Sequence, residues 1–184
     1  MMKKSVACLI MTIILPFTIQ GQGKYLTNNG VISFYSHTIV EDITAVNNEV
    51  AAVIDGSSGE VVIILKMTQF QFEKKMMQEH FNENYLESEI FPKATFSGTI
   101  LNNDDVKYSI PGLYEVKVKG EMTIHGQTKT ISEEGTVKIT SSGIVCSTKF
   151  KLNPEDYKIK IPGMVRKNIS KQMEITVELP CELI

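Results

Sequence analysis

The chain has 184 residues, 42% of them hydrophobic and 22% charged, with a net charge of −2. This is the composition of an ordinary globular protein of about one domain, large enough to build a core without a disulfide or metal. With neither a basic excess nor a basic stripe, the composition argues against a nucleic-acid binder.

The chain opens as an export signal. Met1-Met2-Lys3-Lys4 is a short basic stretch, Ser5 to Ile19 carries no charge, and Gly21-Gln22-Gly23 supplies small residues for a cut. That order predicts a signal peptide over 1–22 and a mature domain over 23–184, placed in the periplasm or secreted. The apolar run is short for a membrane span and Pro16 interrupts it, so no integral span is expected once the signal is removed. Losing Lys3 and Lys4 takes 19 basic residues to 17 against 21 acidic, a mature net charge of about −4. Cys8 leaves with the signal, and Cys146 and Cys181 remain in a compartment that permits disulfides.

Past the signal, twofold alternation dominates and predicts strands. The first covers 31–36. A hairpin follows over 50–54 and 60–67, around Asp55-Gly56-Ser57-Ser58-Gly59. Residues 73–84 break the pattern: Met77, Phe81 and Tyr85 recur at steps of four, which predicts a short helix with one apolar stripe that covers an end of the sheet. A strand over 94–101 carries Ala94, Phe96, Gly98 and Ile100 in one phase. The clearest strand spans 113–125, with Tyr114, Val116, Val118, Met122 and Ile124 on one face and charged or polar residues on the other. Turns at Gly126-Gln127 and Ser141-Ser142-Gly143 lead to strands over 128–140 and 144–152. Residues 153–171 read as a long irregular connection, and 174–179 close the chain with Ile175, Val177 and Leu179 in phase. Strands with one apolar face imply an antiparallel sheet that closes into a barrel or folds into a sandwich, and the short turns favour the up-and-down barrel. Gly98, Gly120 and Gly135 on the inner phase mark either curvature or an interior with room for a ligand.

No catalytic constellation is present. The histidines, His37, His80 and His125, are far apart in sequence, and there is neither a Gly-x-Ser-x-Gly elbow nor a phosphate-cradling glycine loop. His80, Glu83 and Glu87 could share a helix side, but a solvated face accounts for them better than a metal site. Glu133 and Glu134 are adjacent on a strand and point to opposite faces, so they cannot act as an acid–base pair. No cofactor, metal or enzymatic activity is expected.

Several stretches in order resemble the YceI-like family of bacterial secreted, lipocalin-like proteins. They are Phe70-Gln71-Phe72, Phe81-Asn82-Glu83-Asn84-Tyr85, Phe91-Pro92-Lys93-Ala94-Thr95-Phe96-Ser97-Gly98, Gly112-Leu113-Tyr114-Glu115-Val116, Gly120-Glu121-Met122-Thr123-Ile124-His125-Gly126, and Phe150-Lys151-Leu152 followed by Asp156-Tyr157 and Ile159-Lys160-Ile161-Pro162. The likeness runs from about Lys24 to the end. One departure lies near its start: Phe34 and His37 have two residues between them where the family often has three, so no role is carried over to His37.

The resemblance implies an all-β, lipocalin-like antiparallel barrel of about eight strands with an apolar channel, a long isoprenoid ligand such as a polyprenyl chain or isoprenoid quinone, and room for a homodimer. On that reading the candidate ligand-binding residues are Phe34, Ile64, Phe72, Met77, Phe81 and Phe96, then Ile100, Tyr114, Val116, Val118 and Met122, and finally Phe150 and Met164. Each could equally be core. Arg166 and Lys167 would be partners for an anionic headgroup, if there is one, or simply a solvated loop. In this frame, setting Cys146 opposite Cys181 places Phe150 opposite Val177 and Leu152 opposite Ile175, a self-consistent register that would allow a bridge; two buried free thiols are the alternative. Two function classes stay open: a carrier, store or scavenger of an isoprenoid lipid, and an interaction or stress-response module with a packed barrel and no lipid.

Overall fold

The computed structural model describes residues 23–184, so the segment read as a signal, 1–22, lies outside the described residues. Nine strands follow in chain order: β1 (Lys24–His37), β2 (Asp42–Asp55), β3 (Glu60–Lys66), β4 (Gln71–Phe72), β5 (Lys93–Ile100), β6 (Gly112–Ile124), β7 (Gln127–Ile139), β8 (Ile144–Leu152) and β9 (Met173–Leu183). All pairings are antiparallel. Each long strand bonds to the next, and β1 bonds to both β2 and β9, which closes eight strands into an up-and-down barrel. The two-residue β4 adds to the first half of β2 through Ala45↔Phe72 and Val46↔Gln71. Closure removes the exposed edges that an open sheet of this size would present.

The first two strands are longer than the alternation suggests, each of 14 residues. Asn28-Asn29 and Asn47-Asn48, of a residue type common in turns, here sit at irregularities within the two strands. The β1–β2 register shifts on either side of Gly30. The Thr27 hydroxyl accepts the Asn29 N–H at 3.1 Å, and the fully buried Asn47 donates to the Lys66 carbonyl at 3.0 Å and accepts the Glu49 N–H at 2.9 Å. The side-chain amide thus satisfies backbone groups that the disrupted ladder leaves free.

At the β6–β7 hairpin the two-residue loop is His125-Gly126, one position earlier than expected; both have positive φ (50° and 68°), the pairing that a primed hairpin turn needs. The glycines on the inner phase do not open space for a ligand at Gly98 and Gly120. These two face each other across β5 and β6, and a Cβ on either would lie 2.6 or 2.7 Å from Cζ of Phe96. The Phe96 ring occupies that room.

One end of the barrel is packed shut. Val50, Ile54, Val137 and Ile144 are all but inaccessible there. The β5–β6 loop plugs it: Tyr108 stacks on Tyr25 at 5.6 Å and donates to Asn103, whose amide donates to the Gly56 carbonyl, both at 2.8 Å. Burial pushes the Tyr108 phenol well above its ordinary pKa.

The other end is roofed by three connections. The first, between β4 and β5, carries the short helix α1 (Lys75–His80), which runs on into a single π turn, Phe81–Tyr85. The second is the β1–β2 turn. The third is the β8–β9 connection, residues 153–172, with two 3₁₀ turns at Pro154–Tyr157 and Gly163–Val165. Glu41 ties all three together, receiving Lys74 at 2.8 Å and the Asn168 amide at 3.2 Å, and the Ser170 N–H donates to Ser36 at 2.9 Å. Both contacts hold the Glu41 carboxyl below its ordinary pKa.

Candidate functional site: an apolar barrel cavity

Inside the roofed half lies a cavity of about 210 Å³. A single water needs only roughly 10–15 Å³ of such space, so a void this large is set by the wall rather than by packing noise. The wall follows directly from the twofold phase of the strands. Val118, Met122 and Ile124 project from β6, Phe150 and Leu152 from β8, and Ile175 and Val177 from β9. Ile32 and Phe34 of β1, Ile63 and Leu65 of β3, Ala94 and Phe96 of β5 and Ile131 of β7 complete the staves, and Met67 and Phe70 join them on the wall. Phe81, Tyr85 and Leu86 descend from the helical connection, and Ile159, Ile161 and Ile169 from the β8–β9 connection. A smaller space of about 70 Å³ continues toward the packed end, past Ile100, Val116 and Leu179.

Four phenylalanines form the roof. Phe34, Phe70, Phe72 and Phe81 pack with centroid separations of 5.0–5.7 Å, in tilted, edge and stacked arrangements. Such pairs gain from ring geometry beyond area burial. At the far rim, His125 joins two connections: Nδ1 contacts the Tyr157 carbonyl at 3.1 Å, Nε2 contacts the Glu87 carboxylate at 2.9 Å, and the ring lies edge-on to Phe91 at 4.5 Å.

Among the described residues, one acidic residue belongs to the wall. Glu133 of β7 shares the inward phase with Ile131, and burial raises its pKa. Its neighbour Glu134 faces outward and reaches Lys117 at 3.7 Å, as strand geometry requires.

The seam between β7 and β8 is paired over only part of its length. Ladder bonding runs from Gly135↔Thr148 to Ile139↔Ile144 and stops, while β7 continues its full pairing with β6 and β8 with β9. The Thr148 hydroxyl donates to the Glu134 carbonyl at 2.6 Å where the strands part. Beyond it, residues 127–134 and 149–152 have no ladder partner across the seam, and the cavity wall includes Ile131 and Glu133 from one edge and Phe150 and Leu152 from the other.

A closed eight-strand antiparallel barrel with a helical roof and an apolar interior is the setting for comparison with known proteins. A family model described as the YceI-like domain matches residues 18–181. The chain belongs to the YceI-like family. Solved structures agree on the fold. A polyisoprenoid-binding domain from Saccharophagus degradans superposes with a TM-score of 0.76 at 14% identity, covering 89% of this chain and 99% of that one. BcnA of Burkholderia cenocepacia gives 0.68 at 14% identity, over 81% and 94% of the two chains. The YceI protein of Campylobacter jejuni gives 0.57 at 15% identity over the whole of both. A search of curated proteins found no match.

Of the residues singled out in sequence, the YceI-like barrel places Phe34, Phe81, Phe96, Val118, Met122 and Phe150 on the cavity wall. Ile100 and Val116 line the smaller space below. Phe72 stands behind the wall in the aromatic roof, and Tyr114 packs on the core while donating to the Ile110 carbonyl at 3.0 Å. Met77 is half-buried on α1 and does not reach the cavity. Two need correction. Ile64 points outward and is 42% exposed, because β3 is apolar on both phases and its inward set is Val61, Ile63 and Leu65. Met164, 96% exposed, caps an outward loop of the β8–β9 connection.

Arg166 and Lys167 also stand off the wall, and Arg166 is engaged by Glu155. Among the described residues no cluster of His, Cys, Asp and Glu has the makings of a metal site; Glu87 is drawn to His125 rather than to His80. The β8–β9 register sets Cys146 opposite Leu179 and Cys181 opposite Ile144, two residues away from the alignment that would face the thiols. Both cysteines are free, and burial pushes both thiols up to about 12. Sequence reasoning passed over Ile159, Ile161 and Ile169 because they lie in an irregular segment, although the Ile159-Lys160-Ile161 alternation was a usable signal.

Proposed function

We propose that this YceI-like protein is an exported binding protein that holds the apolar chain of an isoprenoid-type lipid, a polyprenyl chain or isoprenoid quinone, in the barrel, for carriage, storage or scavenging. The observation that carries this reading is the cavity itself. It is bounded almost wholly by aliphatic and aromatic side chains, and an apolar void of this kind stays dry and takes apolar guests. The polyisoprenoid-binding description of the Saccharophagus domain supports the same class of guest. Binding would be driven by apolar area, at roughly 25 cal/mol per Å² removed from water. A binding role rather than catalysis fits a wall whose surface is apolar and along which, among the described residues, Glu133 is the one acidic residue.

Export rests on the sequence pattern of 1–22, and the amino-terminal sequence of the protein recovered outside the cytoplasm tests it directly. The ligand is tested by native mass spectrometry of that protein, with organic extraction of whatever accompanies it. A stoichiometric adduct of isoprenoid mass is the expected result. A clean apo mass, together with no uptake of added quinone or prenol, overturns the reading in favour of a lipid-free interaction module.

A further inference from the structure

We propose that the β7–β8 seam is the doorway of the barrel: the apolar chain enters and leaves sideways, between residues 131–134 of β7 and 149–152 of β8, while the roof stays shut. The inference rests on the lipid reading above and adds a route to it.

A guest needs a way in, and both ends of the barrel resist one. At the packed end Val50, Ile54, Val137 and Ile144 are all but inaccessible, and the contacts of Tyr108, Asn103 and Gly56 hold the plug in place. At the roof a chain would have to part the four phenylalanines and the three connections that Glu41 joins.

The wall differs from one join to the next. β3 pairs with β5 from Glu60↔Thr99 to Lys66↔Lys93, β5 with β6 from Thr95↔Thr123 to Ile100↔Val118, and β6 with β7 from end to end. β8 pairs with β9 from Ile144↔Cys181 to Leu152↔Met173, and β1 with β9 up to Tyr35↔Glu174. A chain passing between any of these strands would break several ladder hydrogen bonds at once. The β2–β3 ladder also stops early, at Ala51↔Ile64, but the chain itself fills that gap: Asn47 donates to the Lys66 carbonyl at 3.0 Å, and β4 pairs with β2.

The β7–β8 join is not filled in this way. Among the described residues, one hydrogen bond crosses it beyond its ladder, from the Thr148 hydroxyl to the Glu134 carbonyl at 2.6 Å. Toward the roof the opening is bounded by His125 against the Tyr157 carbonyl, which holds the β6–β7 turn to the chain that follows β8. The edges carry Ile131 on one side and Phe150 and Leu152 on the other, all half-buried and all on the cavity wall. A prenyl chain slipping between them stays on apolar surface. On the outside, a groove of about 780 Å³ crosses the same join where the ladder ends, and Gly135, Thr148 and Val177 border both this groove and the smaller interior space.

The test links the seam covalently. Continuing the register past Gly135↔Thr148 would set Ser132 opposite Lys151, both exposed and off the cavity wall. In a Ser132→Cys, Lys151→Cys protein a bismaleimide joins the two new thiols, and peptide mapping confirms the link; Cys146 and Cys181, whose thiols burial pushes up to about 12, do not compete. A Glu41→Cys, Lys74→Cys protein ties the roof in the same manner, where the native pair meets at 2.8 Å. Uptake of a fluorescent prenyl analogue, and its displacement by geranylgeraniol, are timed by stopped flow before and after linking, so each unlinked protein shows that its own variant folds and binds. Linking the seam is expected to slow uptake and release by about tenfold or more, since any other route through the wall breaks ladder bonds. Linking the roof should leave both rates unchanged. Thr148→Val, which removes the hydroxyl that pins the end of the ladder, should speed both about threefold to fivefold, the worth of one hydrogen bond. A seam link that leaves the rates unmoved, or a roof link that slows them as much, refutes the doorway and leaves lipid binding standing. No uptake by the wild-type protein removes the lipid reading and this inference together.

Discussion

Whether the barrel interior is truly vacant can be decided with one substitution, Val118→Phe. Val118 lies on β6 where the larger cavity meets the smaller, and it lines both. Its neighbours across the strands are Ile100 and Glu133. A phenyl ring at this position points into the void and adds roughly 50 Å³ of side chain, which at about 24 cal/mol per Å³ of cavity filled is worth about 1.2 kcal/mol of added stability in the lipid-free protein. For a domain of this size that is a rise in melting temperature of about 2–5 °C. If the space were instead filled, as in a packed core, the same ring would be overpacked and would destabilise by about 1–3 kcal/mol. The two cases differ in sign. Urea unfolding of delipidated wild type and variant, with the slope checked for equality, gives the difference. Uptake of geranylgeraniol by the same two proteins gives the functional half: the ring should block the passage and reduce uptake at least about tenfold, a loss of 1.4 kcal/mol or more. A destabilised Val118→Phe protein that still takes up the prenol would refute the reasoning at both steps.

Three further outcomes are expected. His125 bridges the Tyr157 carbonyl and the Glu87 carboxylate, so His125→Phe should cost about 1–3 kcal/mol and speed limited proteolysis within residues 158–167; unchanged cleavage would mean that the connection is held by its other end alone, through Ser36 and Glu41. With both thiols pushed up to about 12 by burial, Cys146 and Cys181 should resist a thiol reagent at pH 8 in the native protein and react on unfolding, which absorbance of the released chromophore reports. Because burial raises the Glu133 pKa in the folded state, the folded protein holds that proton more tightly than the unfolded chain; stability contributed by the group is present below the unfolded carboxyl pKa and is lost as pH rises through the folded one. Glu133→Gln should therefore be more stable than wild type near pH 7 and no different near pH 3, and a gap that widens on acidification would contradict the burial of this carboxyl.

The barrel was legible in the sequence because each long strand has water on one side and the interior on the other, and a period of two records that difference. β6 is the plainest instance: Tyr114, Val116, Val118 and Met122 keep one phase from the packed end to the cavity. The same rule misleads where both phases are apolar. In β3, Val62 and Ile64 are as hydrophobic as Val61 and Ile63, and nothing local says which pair faces inward; the register with β5, Ile63↔Phe96, decides it. Alternation marked only 31–36 of β1 and 50–54 of β2, because the register shifts around Gly30 interrupt the phase of both strands. A pairing register is a property of two strands, and that is why the aligned cysteines were two residues out: both alignments keep the same residues inward, and the alternation is blind to a shift of two.

The cavity was half legible for a related reason. Strand residues announce their face, but whether an inward residue meets another side chain or a void depends on what lies across the barrel. Phe96 shows this. Its ring spends itself on the groove that Gly98 and Gly120 leave, so the glycines that look like room for a guest are room for a neighbour. The seam is the part that no single-strand pattern could reveal. β7 keeps its alternation from end to end and bonds to β6 throughout, yet only its last third also bonds to β8. What sequence did offer was Glu133 on the wrong phase, a charge where its strand calls for an apolar residue. Glu133 stands next to the end of the β7–β8 ladder, and only the pairing register, not the alternation of either strand, records that the ladder stops there.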